Sequence, residues 1–257
     1  MPRPGPHDLL LATLDSVGVQ LERVTITGSA IKRLDAETSV PVTVFRMKDI
    51  QQQGLTTVEQ ILGTLTASQA SLGTSQAVGA STGGFTDVLL RRGAEHVVAV
   101  DVGYGQLAWS LRSDPRVTAL DRTNIRTLDP EAVAPAPELV VGDLSFISLT
   151  LVLEPLLRAA ADDADLLLMV KPQFEVGKDR LGSGGVVRSP ELRKEVTKEV
   201  AEFALSLGLS MHGAVASPLP GPSGNVEYFL WLKKDGQTTD LARVEEMIDR
   251  AVEEGPQ

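Results

Sequence analysis

The chain has 257 residues, 42% hydrophobic and 23% charged, and its 24 basic against 34 acidic side chains give a formal charge of −10 at pH 7. This balance excludes a disordered or fibrous chain, and the acidic excess argues against a nucleic-acid binder driven by bulk charge. The absence of cysteine excludes disulfide scaffolds, zinc–thiolate and iron–sulfur centres and thiol nucleophiles; three scattered histidines, His7, His96 and His212, do not make a dedicated metal centre. The opening segment offers only Leu9, Leu10 and Leu11 as an apolar core, between Asp8 and Asp15, so it fails as a secretory signal. No apolar run is long enough to span a bilayer as a helix. A cytoplasmic, soluble protein is expected, with one large α/β domain or an ordinary domain plus an appendage.

In chain order, strand-forming runs at 22–27 and 40–45 precede short helices at 47–53 and 56–65, the second capped by Thr56 or Thr57 with Glu59 following early. A stretch rich in Ser, Thr, Ala, Gly and Gln from 64 to 84 then reads as a loop or a join. Beyond it, apolar strands alternate with helical segments: helix 86–92, strand 96–101, helix 107–113, strands 117–120 and 139–143, helix 148–161, strand 165–170 and helix 190–207. Such alternation predicts a doubly wound sheet of parallel strands joined by crossover helices. Strands 213–217 and 227–233 are separated only by PLPGPSGN, too short and too rich in Pro and Gly for a crossover helix. They are predicted to pair as an antiparallel hairpin at one sheet edge. A helix at 239–253 follows, with Leu241, Val244, Met247, Ile248 and Val252 roughly on one face. Between Lys171 and Lys198, seven basic residues against four acidic ones leave room for a local basic surface.

The loop GASTGGF from Gly79 to Phe85 sits where a strand would turn into the helix at 86. Glycines there permit close backbone approach to a ligand, and the helix start presents unpaired N–H groups. Asp101 ends the strand HVVAVD 22 positions after Gly79, where a carboxylate can bind the two hydroxyls of a ribose; its plainer reading is a helix cap. The loop lacks the G-x-x-x-x-G-K-[ST] lysine and the G-x-G-x-x-G pattern, so ATP, GTP and NAD fit less well than S-adenosylmethionine, which carries ribose and adenine but no phosphate. Asp143 closes VVGD, Lys171 closes LLLMVK and Glu227 opens the last strand. In an open α/β sheet these positions converge on the crevice at the carboxyl ends of the strands. A lysine between carboxylates can position a hydroxyl and stabilise its alkoxide. To act as a base it needs desolvation to lower its pKa, because neighbouring carboxylates raise it. Taken singly, Asp143 reads equally as a helix cap, Lys171 as a snorkelling strand end and Glu227 as a rim charge.

The segments GASTGGFTDVLLRRGAEHVVAVDVGYGQLAW, TNIR, VVGDLSFISL, VKPQFEVGKDRLGSGGVVR and PLPGPSGNVEYFLWL together resemble the TlyA-type, hemolysin-named ribosomal RNA 2′-O-methyltransferases of the FtsJ-like superfamily, over residues 79–233. The resemblance implies a Rossmann-like, S-adenosylmethionine-dependent methyltransferase sheet with a terminal antiparallel hairpin. It implies methyl transfer to a ribose 2′-hydroxyl of ribosomal RNA through a Lys-Asp-Lys-Glu tetrad, without a metal. Asp143, Lys171 and Glu227 match the last three tetrad members. Gly79, Ser81, Gly83, Gly84, Phe85, Asp101 and Asn124 match the cofactor contacts, with Asn124 near the adenine. The implied partner is ribosomal RNA or a ribosomal subunit.

Upstream, the pattern departs from that family. Its RNA-binding module and first tetrad lysine precede the glycine loop, whereas Lys32 and Lys48, the lysines found upstream here, lack the matching context. The run 75–81 is polar where an interior strand needs apolar residues. Residues 22–84 instead resemble the plug of a TonB-dependent outer-membrane receptor, so the chain reads as a hybrid. Its expected parts are a plug-like segment at 1–74, small α+β or partly disordered, a methyltransferase domain at 75–236 and a helical tail at 237–257. Two other functions stand beside methyl transfer: a module that binds S-adenosylmethionine or RNA without turnover, and a plug-like envelope fragment.

Overall fold

The structure, a computed structural model, describes residues 83–219, 221 and 224–256. The elements expected at 22–27, 40–45, 47–53 and 56–65, the polar run at 75–81 and the plug-like resemblance lie outside the described residues. Helix α1 (Gly84–Arg91) starts two residues before its expected position, because Gly83 turns the chain at φ 94° and caps it without a side chain. A Cβ at Gly83 would meet the Leu107 and Leu111 methyl carbons at 2.5 Å, so both the dihedral and the space call for glycine. Strand β1 (Val97–Val100), the short helix α2 (Trp109–Arg112) and strand β2 (Val117–Leu120) follow. Next come β3 (Leu139–Gly142), α3 (Leu153–Ala159), β4 (Asp165–Val170) and a one-turn helix α4 (Pro172–Glu175). Helix α4 is not among the elements expected from the sequence.

The helix expected at 148–161 is divided into a 3-10 turn (Leu149–Leu151) and α3. Pro155 explains the division: it has no N–H to give to the Leu151 carbonyl, and it is tolerated only within the first turn of a helix. Helix α5 (Pro190–Ser206) is capped by Ser189, whose hydroxyl accepts the Leu192 N–H at 3.1 Å. Strand β5 (Ser210–Ala216) begins three residues earlier than expected; a bulge between Met211 and Gly213 interrupts the alternation that would have revealed it. Strand β6 (Tyr228–Lys233) and helix α6 (Leu241–Glu254) complete the described elements.

The described strands form two sheets rather than one: a parallel pair β1–β2, and a four-stranded sheet in the order β3-β4-β6-β5. Strands β3 and β4 are parallel, while β6 runs antiparallel to both β4 and β5. The terminal hairpin is therefore as expected, with β5 outermost. Every residue of β3 and β4 is buried, as the apolar runs LVV and LLLMV within them require. Phe85 of α1 meets Phe229 of β6 edge to face, with centroids 6.4 Å apart, which locks α1 onto the mixed sheet.

Helix α6 buries Val244, Ile248, Ala251 and Val252. Leu241, expected on that face, stays 54% exposed because it is the first residue of the helix, before the stripe meets its neighbours. Helices α5 and α6 are joined by ion pairs: Lys194 to Asp249 at 2.5 Å and to Glu245 at 3.6 Å, and Lys198 to Glu245 at 3.2 Å. Arg180 pairs with Glu195, and Arg193 is buried. The basic excess between Lys171 and Lys198 is thus largely neutralised by acids that α6 and α5 supply. No helix among the described residues is long and apolar enough to cross a membrane.

Candidate active site

Strand register brings the distant polar residues together. The β4–β6 ladder ends on the pair Val170–Tyr228, so the next antiparallel step sets Lys171 opposite Glu227. In the parallel β3–β4 pair, Gly142 aligns with Leu168; continued in step, that offset carries Ser145 alongside Lys171, with Asp143 just before it. The side chains follow. Lys171 Nζ lies 2.6 Å from Asp143 Oδ1, 3.1 Å from Ser145 Oγ and 3.8 Å from Glu227 Oε1. Gln173 Nε2 donates to Glu227 Oε1 at 3.0 Å. Asp143, Lys171 and Glu227 are all 5–6% exposed, which places a cation and two acids in a water-poor pocket at the lip of the sheet. Gly221 lies against Glu227: a Cβ there would stand 2.7 Å from Glu227 Oε1.

Electrostatics fix the proton inventory. Burial works to lower the Lys171 pKa, but Asp143 and Glu227 outweigh it and hold the ammonium above its ordinary value. The desolvation that would make this lysine a free base is therefore overcome, and Lys171 is a cation that donates. Burial raises the Glu227 carboxyl, with Asp143 adding to the rise and Lys171 and Gln173 opposing it. Phe146, two residues beyond Leu144 at the same lip, is 41% exposed and sits at φ 63°, a conformation that costs a residue with a Cβ about 1 kcal/mol. Its ring lies 5.0 Å from that of Phe174.

The expected cofactor residues divide. Gly79 and Ser81 lie outside the described residues. Gly83 and Gly84 form the turn and the first residue of α1, where unpaired N–H groups are presented. The Phe85 ring is 2% exposed in the core, which leaves only its backbone to face a ligand. Asp101 follows β1 and accepts the Gly103 N–H on Oδ1 at 2.6 Å. Burial raises its carboxyl, the Gly103 bond opposes this, and Asp121 nearby raises it further. Asn124 Oδ1 accepts the Arg126 N–H at 3.0 Å and so caps the turn Ile125–Thr127. A short distance away, Tyr104 is 66% exposed under the Arg122 guanidinium, 4.6 Å from the ring centroid.

Ser145, Phe146, Gln173 and Glu175 were not singled out from the sequence. Ser145 and Gln173 each stand two positions beyond a strand-end residue, Asp143 and Lys171, and that repeated offset is the signal that could have found them. Their importance comes from how two loops approach each other, which no periodicity records.

A family model for the FtsJ-like methyltransferases matches residues 65–234. The 16S/23S rRNA (cytidine-2′-O)-methyltransferase TlyA of Mycobacterium tuberculosis is 60% identical over 179 residues, which cover 69% of this chain and 67% of that protein. The 23S rRNA (cytidine-2′-O)-methyltransferase TlyA of Campylobacter jejuni is 34% identical over 159 residues, covering 62% of this chain and 61% of that one. A solved hemolysin-named structure from Streptococcus thermophilus superposes with a TM-score of 0.62 at 39% identity, covering 68% of this chain and 65% of that one. The matched region thus spans about two thirds of the length of these relatives. By the motifs of its strand ends, the matched family and these relatives, the chain belongs to the FtsJ-like methyltransferases, among their TlyA-type, hemolysin-named members.

Proposed function

We propose that this chain transfers a methyl group from S-adenosylmethionine to a ribose 2′-hydroxyl of ribosomal RNA, as the names of its relatives describe for those proteins. The observation that carries the reading is the buried Lys171 ammonium held between Asp143 and Glu227 at a sheet edge. The residues that follow β1 and open α1 suit the cofactor. Asp101 offers a carboxylate to paired hydroxyls, the turn at Gly83 permits close backbone approach, and no lysine or arginine is needed for a phosphate the cofactor does not have. When bound, S-adenosylmethionine supplies an electrophilic methyl on a sulfonium that leaves as a neutral thioether.

The protein's own part is orientation and charge. Lys171, cationic at neutral pH, donates to the ribose oxygen and favours its alkoxide. Its Asp143 contact is the shortest of the three and fixes the amine. Its 3.8 Å separation from Glu227 is the longest and is the one that yields to an incoming oxygen. Glu227, raised by burial, is a better proton acceptor than an ordinary carboxylate and receives the hydroxyl proton. Phe146 offers an exposed ring at the lip against which a base can stack.

The test incubates the full chain with ribosomal subunits and methyl-labelled S-adenosylmethionine, then maps 2′-O-methylated nucleotides. Label in ribose, abolished by Asp143→Asn and Glu227→Gln, is expected. Cofactor binding with no labelled RNA from the unmodified chain would overturn methyl transfer in favour of a binding module.

A further inference from the structure

Lys171 and its closest carboxylate stand on two segments, 143–149 after β3 and 171–175 after β4, beyond the last ladder pair between those strands. Something other than sheet pairing must set their spacing. Glu175, the last residue of α4, reaches across: the Leu149 N–H donates to its Oε1 at 2.9 Å, and the Ser148 hydroxyl donates to its Oε2 at 2.5 Å. The Leu149 N–H opens a 3-10 turn and has no partner within that turn, so the carboxylate satisfies an orphan donor. Glu175 is only partly exposed, and Glu199 of α5 faces it with like charge. Among the described residues, the hydrogen bonds from Ser148 and Leu149 are what offset the burial of this carboxylate.

The tie is short and stiff at both ends. Ser148 Oγ also meets Thr150 Oγ1 at 2.7 Å and accepts the Thr150 N–H at 3.2 Å, so the hydroxyl is anchored in its own turn. From Glu175 back to Lys171 there is one helical turn, closed by Phe174 N–H to Lys171 O at 2.8 Å and Val176 N–H to Pro172 O at 3.0 Å. A shift of Glu175 away from Ser148 is therefore transmitted to the 2.6 Å contact between Lys171 and Asp143.

We infer that Glu175 is a positioning residue: its carboxylate ties the segment bearing Asp143 to the segment bearing Lys171 and sets the distance between them. The catalytic consequence rests on the function proposed above, whereas the spacing is measurable without it. The experiment uses the full chain labelled with ¹⁵N-lysine, in which the Lys171 ammonium resonance is assigned by its loss in Lys171→Arg. Glu175→Ala is expected to shift or broaden that resonance. It is also expected to lower kcat for RNA methylation by about 10- to 100-fold while the KM for S-adenosylmethionine stays within about 2-fold, since misplacement alone costs this much. Glu175→Gln, which keeps an acceptor for Leu149 and gives Ser148 Oγ a donor, is expected to restore both. If Glu175→Ala does not fold, Glu175→Asp carries the same expectation, with a reach shorter by one methylene. An unmoved Lys171 resonance in the Ala or Asp variant, or a Gln variant as impaired as Ala, overturns the inference. Absence of methylation by the unmodified chain overturns only the function, because the resonance still reports on the tie.

Discussion

Replacement of Lys171 by methionine keeps an unbranched side chain one atom shorter and removes the charge between Asp143 and Glu227. At an effective dielectric near 20, contacts of 2.6 and 3.8 Å correspond to gross attractions of about 6 and about 4 kcal/mol. Desolvation of three ions offsets most of this, so the net worth of the cluster is small. Loss of one member is not small, because two carboxylates that are each 5% exposed are left without a cation. Breaking a buried pair in this way costs about 3–5 kcal/mol, a large part of the ~5–15 kcal/mol that holds a domain folded.

The pH dependence follows by linkage. In the variant, burial and Asp143 raise the Glu227 carboxyl with no ammonium to oppose them, so the folded state holds a proton where the unfolded chain, with a carboxyl pKa of about 4.3, has released it. Stability then falls as pH rises through that window, and the deficit is largest near pH 8 and shrinks towards pH 5. In the unmodified chain the raised Lys171 pKa has the same sign but acts in a far more alkaline window. Its contribution is complete below the unfolded value of about 10.4 and is lost only as pH rises through the folded one. Urea midpoints of the unmodified chain, Lys171→Met and the neutral triple variant with Asp143→Asn and Glu227→Gln, taken at both pH values, make the test. The triple variant is expected to recover most of the loss. A Lys171→Met protein as stable near pH 8 as the unmodified chain would refute the reasoning.

Asp101→Asn is expected to weaken S-adenosylmethionine binding by about 10-fold, the difference between charged and neutral hydrogen bonds to hydroxyls. Because the Asp101 carboxyl is raised by burial, affinity of the unmodified chain should fall as pH drops and that carboxylate takes up a proton, while the Asn variant stays flat; calorimetric titration across pH decides this. Asn225 is 3% exposed, accepts the Val187 N–H at 2.9 Å and donates to the Gly185 carbonyl at 3.0 Å. Asn225→Ala leaves both backbone groups unsatisfied and is expected to cost about 2 kcal/mol, with faster hydrogen exchange at Val187; unchanged protection there would refute the pinning role.

Continuous apolar runs such as LVV and LLLMV fall in β3 and β4 because a strand buried on both faces needs no alternation, and such runs can be read directly. The convergence of Asp143, Lys171 and Glu227 followed from placing residues at the ends of those strands, since register then determines who meets whom. The bulge at His212 and the division at Pro155 shift element boundaries from their expected places, because there one residue's hydrogen bond outweighs the pattern around it. Ser145, Gln173 and Glu175 stayed hidden because polar residues in irregular backbone carry no period. Only the approach of one loop to another gives them partners. The basic run around α5 misled for the opposite reason: the acids that neutralise Lys194 and Lys198 lie some fifty residues further on, in α6.

The insertion of β6 between β4 and β5 has a temporal consequence during synthesis. The inner flank of β4 is filled by a strand translated after every other member of the mixed sheet. A growing chain that already carries Asp143 and Lys171 therefore holds the lysine–aspartate pair beside a bare strand edge until Glu227 and β6 emerge. Products terminated before that point would keep that edge unpaired and open to other chains, and the finished fold would be reached in one late docking event.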